Sequence, residues 1–247
     1  MKKLSSLILF LAMYLGTFAQ GEIVSYYKIN SLNFTQLDSI LNIFNAQGFI
    51  APAYELDVYK VLYKTPYRHI DSLVTVSGAM VVPKNTECPV PLSMYMHGTA
   101  SERTGVPSYG STEINVGLLF GMLGNIVVLP DYLGLGDSDT SVIIHPYIHA
   151  WSQANDGINM IRAGRHLEDS LGITDNGQLF LFGYSQGGFA TAAGARCRQN
   201  ASAARCVSLN AAPTLYANFA TAGQISCQIQ RWRNSVAVYD RIPEWGY

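Results

Sequence analysis

Charge is scarce in this 247-residue chain: 13% of its residues are Asp, Glu, Lys or Arg, with 16 basic side chains against 17 acidic ones. A net charge of −1 leaves no electrostatic footprint for nucleic acid or an acidic membrane surface. Cysteine is scarce too. Four residues are too few for a disulfide scaffold, and none has CxxC or zinc-ligand spacing. Past the N-terminus no apolar run reaches the roughly 20 residues that a bilayer crossing needs. No internal repeat or low-complexity tract is present. What the chain does have is core material, 49% hydrophobic and 11% aromatic, in a length that suits one large domain or two small ones. These figures point to a globular enzyme or a binding module.

The first residues read as an address. Lys2 and Lys3 precede an apolar run from Leu7 to Leu15, and Thr17-Phe18-Ala19 supplies small residues around a cleavage point. This is the layout of a secretory signal peptide over residues 1–19, cleaved after Ala19, so a secreted or periplasmic protein is expected. No Cys follows the run, which argues against a lipid-modified N-terminus. Outside the cytosol disulfides are permitted but not required.

The next segments alternate in period. Leu37, Ile40, Leu41 and Phe44 lie at helical spacing within Asn33–Asn45, predicting an amphipathic helix. Val58–Tyr63 and Leu73–Val82 read as strands. Thr65-Pro66-Tyr67 starts a turn between them, which makes an antiparallel hairpin. Apolar strands follow at Leu92–Met96, Asn125–Leu129 and Leu179–Phe182, separated by helices over Ile114–Leu123 and His149–Leu171, with a further helix from Gly187. Val207–Leu209 is a last, weak strand. Apolar strands alternating with helices imply βαβ units and a buried, mostly parallel sheet. The expectation is an α/β core over residues 20–192, its antiparallel hairpin first.

One pentapeptide carries chemistry. Gly183-Tyr184-Ser185-Gln186-Gly187 matches G-x-S-x-G and lies between an apolar strand and a helix start. A sharp strand-to-helix turn has no room for side chains at the glycine positions, and it lifts the serine hydroxyl clear of the sheet. Ser185 is therefore the candidate nucleophile, with Gly183 and Gly187 shaping the nucleophile elbow. Acyl transfer also needs backbone donors for the oxyanion. The N–H of Gln186 is one candidate, and that of Gly98 or Thr99, directly after an upstream strand, is the other. His97 beside them reads as a packed histidine rather than a catalytic one.

Three stretches, MYMHGT (Met94–Thr99), PDYLGLGDS (Pro130–Ser138) and GYSQGG (Gly183–Gly188), together resemble the α/β-hydrolase superfamily, nearest to secreted lipases and carboxylesterases. Prolyl-oligopeptidase-like hydrolases are the neighbouring branch. The resemblance covers about residues 55–192. It implies an α/β-hydrolase fold, a small-molecule or lipid ester as substrate, and neither metal nor organic cofactor. Asp131 and Asp137 read as turn and cap residues rather than catalytic acids.

The superfamily's triad runs Ser, then Asp or Glu, then His. The histidines here are His69, His97, His145, His149 and His166, and all precede Ser185; only Asp240 and Glu244 follow it as carboxylates. The triad acid and base are thus unassigned. Residues 193–247 also differ in kind. They hold six of ten Arg and three of four Cys (Cys197, Cys206, Cys227), with no Lys or His. Residues 1–192 sum to −5 and the tail to +4. The change points to a reading frame lost between Ala192 and Asn218, so that the fold's C-terminal strands are missing; the alternative is a genuine Ala/Arg-rich helix with a short strand. Three readings stay open: a truncated hydrolase, a base supplied upstream by His145 or His149, or an inactive relative that binds ligand in the old pocket. The expected function is that of an exported serine hydrolase of carboxylic esters, with a prolyl-oligopeptidase-like peptidase or a non-catalytic binding module as alternatives.

Overall fold

The computed structural model describes residues 19–47, 50–68, 72–139, 143–199 and 214–217. Residues 1–18 of the expected signal peptide (1–19), His69, the expected Val207–Leu209 strand, Asp240 and Glu244 lie outside these. Among the described residues seven strands form one sheet: β1 (Ile23–Leu32), β2 (Leu56–Tyr67), β3 (Ser72–Pro83), β4 (Val90–Met96), β5 (Ile126–Pro130), β6 (Asp175–Gly183) and β7 (Thr214–Ala217). Their order is β1-β2-β3-β5-β4-β6-β7. Helices α1 (Phe34–Ile43), α2 (Ile114–Met122), α3 (Ala150–Leu171) and α4 (Gln186–Gln199) connect them.

The parallel pairs are β4 with β5 and β4 with β6; the other neighbours are antiparallel. The sheet is therefore mixed, and less parallel than the sequence pattern predicts. The difference arises at the edges. Most of β1 is solvent-exposed, so it lacks the apolar alternation that marks a half-buried strand. The expected hairpin is β2–β3, and β2 runs on through Pro66 instead of turning there. Pro66 pairs with Leu73 beyond the end of β1, whose register stops at Ile23 opposite Tyr63. A missing N–H breaks no ladder at a position with one free side.

Alternation along the strands divides the core in two. Met94, Met96 and Val128 face α3 and pack with Met160, Ala163 and Leu167. Tyr95, Val127 and Leu129 point to the opposite face, where α1 and α2 contribute Leu37, Leu41, Leu118 and Met122. Asn33 starts α1 with a reciprocal capping box: its side chain accepts from the Gln36 N–H, and the Gln36 side chain accepts from the Asn33 N–H, both at 3.0 Å. Cys88, just before β4, is disulfide-bonded. Among the described residues no helix is long and apolar enough to cross a membrane.

Candidate active site

β4 and β6 lie side by side in parallel, Met96 opposite Gly183, so the loops that leave their C-terminal ends are neighbours. After β6 the chain reverses into α4 within two residues. Ser185 takes φ = 54°, a left-handed conformation that costs a non-glycine residue about 1–3 kcal/mol and persists only where its surroundings impose it. The imposition is visible. The Gly187 N–H donates to the Tyr184 carbonyl at 2.8 Å, and the Gly188 N–H to the Ser185 carbonyl at 3.0 Å. A Cβ on Gly183 would strike the Gly187 carbonyl, and one on Gly187 would strike that of Met96. Ser185 itself is exposed at the tip of the turn, while Gln186 behind it is buried.

The loop after β4 reaches the same place. A Cβ on Gly98 would stand 2.9 Å from the Tyr184 ring, so the backbone here passes directly under the residue before Ser185. The loop carbonyls are engaged elsewhere. His97 is fully buried; its Nδ1 lies 2.7 Å from the Gly98 carbonyl and its Nε2 3.3 Å from that of Asp131. Tyr132, at φ = 73°, stacks on the His97 ring at 4.2 Å and donates its hydroxyl to the His97 carbonyl at 2.7 Å. The N–H groups of Gly98, Thr99 and Gln186 have no acceptor among the described residues. Two adjacent loops thus present backbone donors without described acceptors in the region of an exposed serine.

His145 lies beside the turn but contacts Gln186 rather than Ser185. Its Nδ1 is 2.8 Å from the Leu133 carbonyl. A carbonyl can only accept, so Nδ1 carries the proton and Nε2 accepts from the Gln186 side-chain amide at 2.9 Å. Burial pushes this imidazole below its ordinary value, and the neighbouring His97 adds to that. His149 bonds Ser152 Oγ at 2.8 Å through Nδ1, and His166 is exposed on α3. Among the described residues no imidazole contacts the Ser185 hydroxyl.

The two aspartates of the PDYLGLGDS stretch are held in structural bonds. Buried Asp131 accepts from Ser77 Oγ at 2.6 Å and from the Ser108 N–H at 3.0 Å. Asp137 pairs with Lys60 at 2.7 Å. Sequence reasoning missed Tyr132, Tyr147 and Tyr184 as parts of this region. Tyr132 and Tyr184 lie inside quoted motifs, whereas Tyr147 meets Thr99 across 48 positions, and no local pattern announces that contact.

A profile of the secretory lipase family matches residues 110–204. Among solved structures, a Legionella pneumophila protein provisionally assigned as a hydrolase aligns at 28% identity and TM-score 0.63, over 73% of this chain and 49% of that one. The rice cell wall degrading esterase LipA from Xanthomonas oryzae aligns at 27% identity and TM-score 0.62, over 75% of this chain and 47% of its own. Lipase A of Candida antarctica shares the fold alone, at 19% identity and TM-score 0.50, over 76% of this chain and 40% of its own. No curated protein matches in sequence. The chain spans about half the length of the structures it matches. It has the α/β-hydrolase fold and resembles the lipases and esterases of that superfamily.

Proposed function

We propose that this chain is an exported serine hydrolase of carboxylic esters. Ser185 Oγ attacks the acyl carbon as its proton passes to a general base, which returns it to the departing alcohol; among the described residues no imidazole contacts Ser185 to fill that role. The N–H groups of Gln186 and of Gly98 or Thr99 hold the oxyanion of the tetrahedral intermediate. Collapse expels the alcohol and leaves an acyl-enzyme, which water hydrolyses to the acid. The observation that carries this reading is the exposed Ser185 at φ = 54°, on a turn whose flanking glycines have no room for a side chain. The secretory lipase profile and the esterase neighbour support the ester class. The Cys88 disulfide supports an oxidising compartment, consistent with a signal peptide over residues 1–19.

The test is covalent labelling. The protein is treated with a fluorophosphonate and compared with Ser185→Ala, alongside hydrolysis of an activated ester and an activated amide. Labelling confined to the wild type, with the ester cleaved faster, is the expected result. A folded wild type that takes no label overturns the proposal.

A further inference from the structure

A short segment touches both loops that carry the proposed oxyanion donors. His145 Nε2 accepts from the Gln186 side chain at 2.9 Å, and two residues later the Tyr147 hydroxyl lies 3.0 Å from Thr99 Oγ1. The segment is itself anchored. His145 Nδ1 donates to the Leu133 carbonyl at 2.8 Å, and the Tyr147 N–H closes a tight turn onto the His145 carbonyl at 2.9 Å. The His149 N–H donates to the Pro146 carbonyl at 3.2 Å, and Ile148 between them is at φ = 52°. Leu133 follows Tyr132, whose hydroxyl holds the His97 carbonyl. The Gly98–Thr99 loop is thereby tied to the post-β5 segment at His97 and to the 145–147 turn at Thr99.

We infer that His145-Pro146-Tyr147 is a brace across the oxyanion hole, with His145 positioning the Gln186 half and Tyr147 the Thr99 half. This rests on the serine hydrolase reading given above. Neither side chain touches the reacting atoms, so both are positioning residues. Gln186 is the first residue of α4, and its backbone N–H has only the turn geometry to aim it. A buried side chain fixed at its far end removes one route by which the first helical turn could rotate. Thr99 is exposed, and the described residues offer its hydroxyl no partner other than Tyr147. The Leu133 carbonyl holds the His145 proton on Nδ1. The neutral ring presents a lone pair to Gln186, whereas a doubly protonated ring would place a donor against the Gln186 amide.

Two readouts test it, one independent of activity. In the full chain, Tyr147→Phe, His145→Phe and His145→Gln are compared with wild type. Amide resonances of Gly98, Thr99 and Gln186 are followed by NMR, and the rate of Ser185 labelling by a fluorophosphonate is measured. Tyr147→Phe removes one oxygen from an exposed ring and leaves the fold intact. It is expected to shift the Thr99 amide and to slow labelling about 2- to 10-fold, the worth of one hydrogen bond. His145→Phe does the same at Gln186, and His145→Gln, which again offers an acceptor there, restores both. Unmoved amides and unchanged labelling in every variant overturn the brace. Shifted amides in a protein whose wild type never labels leave the brace standing and remove the hydrolase reading instead.

Discussion

Gly187, in the first turn of α4, lies against the carbonyl of Met96 at the end of β4, and no side chain fits between them. This contact places the N-terminus of α4 directly beside the β4 loop, so the Gln186 N–H and the Gly98–Thr99 backbone share one small region. Gly187→Ala must therefore push the helix off the sheet or distort the turn. Overpacking of this kind, against backbone rather than a movable side chain, is expected to cost about 3 kcal/mol. Urea unfolding reads the loss, and a cost below about 1 kcal/mol would mean that the turn yields freely.

Lys60 and Asp137 form a second testable unit. The Lys60 ammonium is nearly buried, 2.7 Å from Asp137 Oδ2 and 3.7 Å above the centre of the Tyr109 ring, while the Tyr109 hydroxyl donates to Asp137 Oδ1 at 2.5 Å. Burial works against the charged form of Asp137, but the bonds from Lys60 and Tyr109 outweigh it and hold the carboxyl below its ordinary value. A depressed carboxylate stabilises the fold above its unfolded pKa and loses that contribution as pH falls through its folded one. For Lys60 burial again opposes the charge, yet Asp137 raises the ammonium overall, so its share is lost only above the ordinary lysine range. Asp137→Asn is expected to destabilise by about 2 kcal/mol at pH 7, less than the full cost of breaking a buried pair because Asp137 is partly exposed. The gap from wild type should narrow below about pH 4. A gap constant from pH 7 to 3 would remove the ion pair as its cause.

Asp156 behaves in the opposite sense. It is fully buried on α3, accepts the Tyr63 hydroxyl at 2.7 Å through Oδ1, and has no partner for Oδ2 among the described residues. Burial pushes its carboxyl up to about 7, against the Tyr63 bond and with the help of Asp131. The folded protein then holds a proton that the unfolded chain releases near pH 4, so stability falls as pH rises toward 7 and levels off beyond. Burial likewise raises Glu168, to about 8, so the comparison must be with a variant. Asp156→Asn should gain on wild type as pH goes from 5 to 8, read as the difference in thermal midpoint at each pH. A difference independent of pH would mean that Asp156 is ionised throughout.

Much of the fold could be read from periodicity. α2, α3 and the buried parts of β4, β5 and β6 stand within a few residues of the expected bounds, because each buries a continuous apolar run or stripe. β1 could not be read, since its side chains face solvent and its stability comes from pairing with β2. Pro66 misled for a related reason: a turn residue is tolerated in a strand when one side has no neighbour. At the site, Ser185, Gly183 and Gly187 were visible because a sharp turn restricts residue type locally. Gly98 and Thr99 were visible only as the loop after a strand.

The sequence alone determined the alternation of strands and helices and the sterically restricted turn around Ser185. These follow from short-range rules, in which a residue type and its nearest neighbours set the backbone. Only the tertiary structure decided what His145 does. Its distance of 40 positions from Ser185 left it open as a base, and the packed loops instead turn its Nδ1 to Leu133 and its Nε2 to Gln186. Side chains far apart in sequence acquire roles through directional hydrogen bonds, and those directions exist only once β4, β5, β6 and their loops lie together.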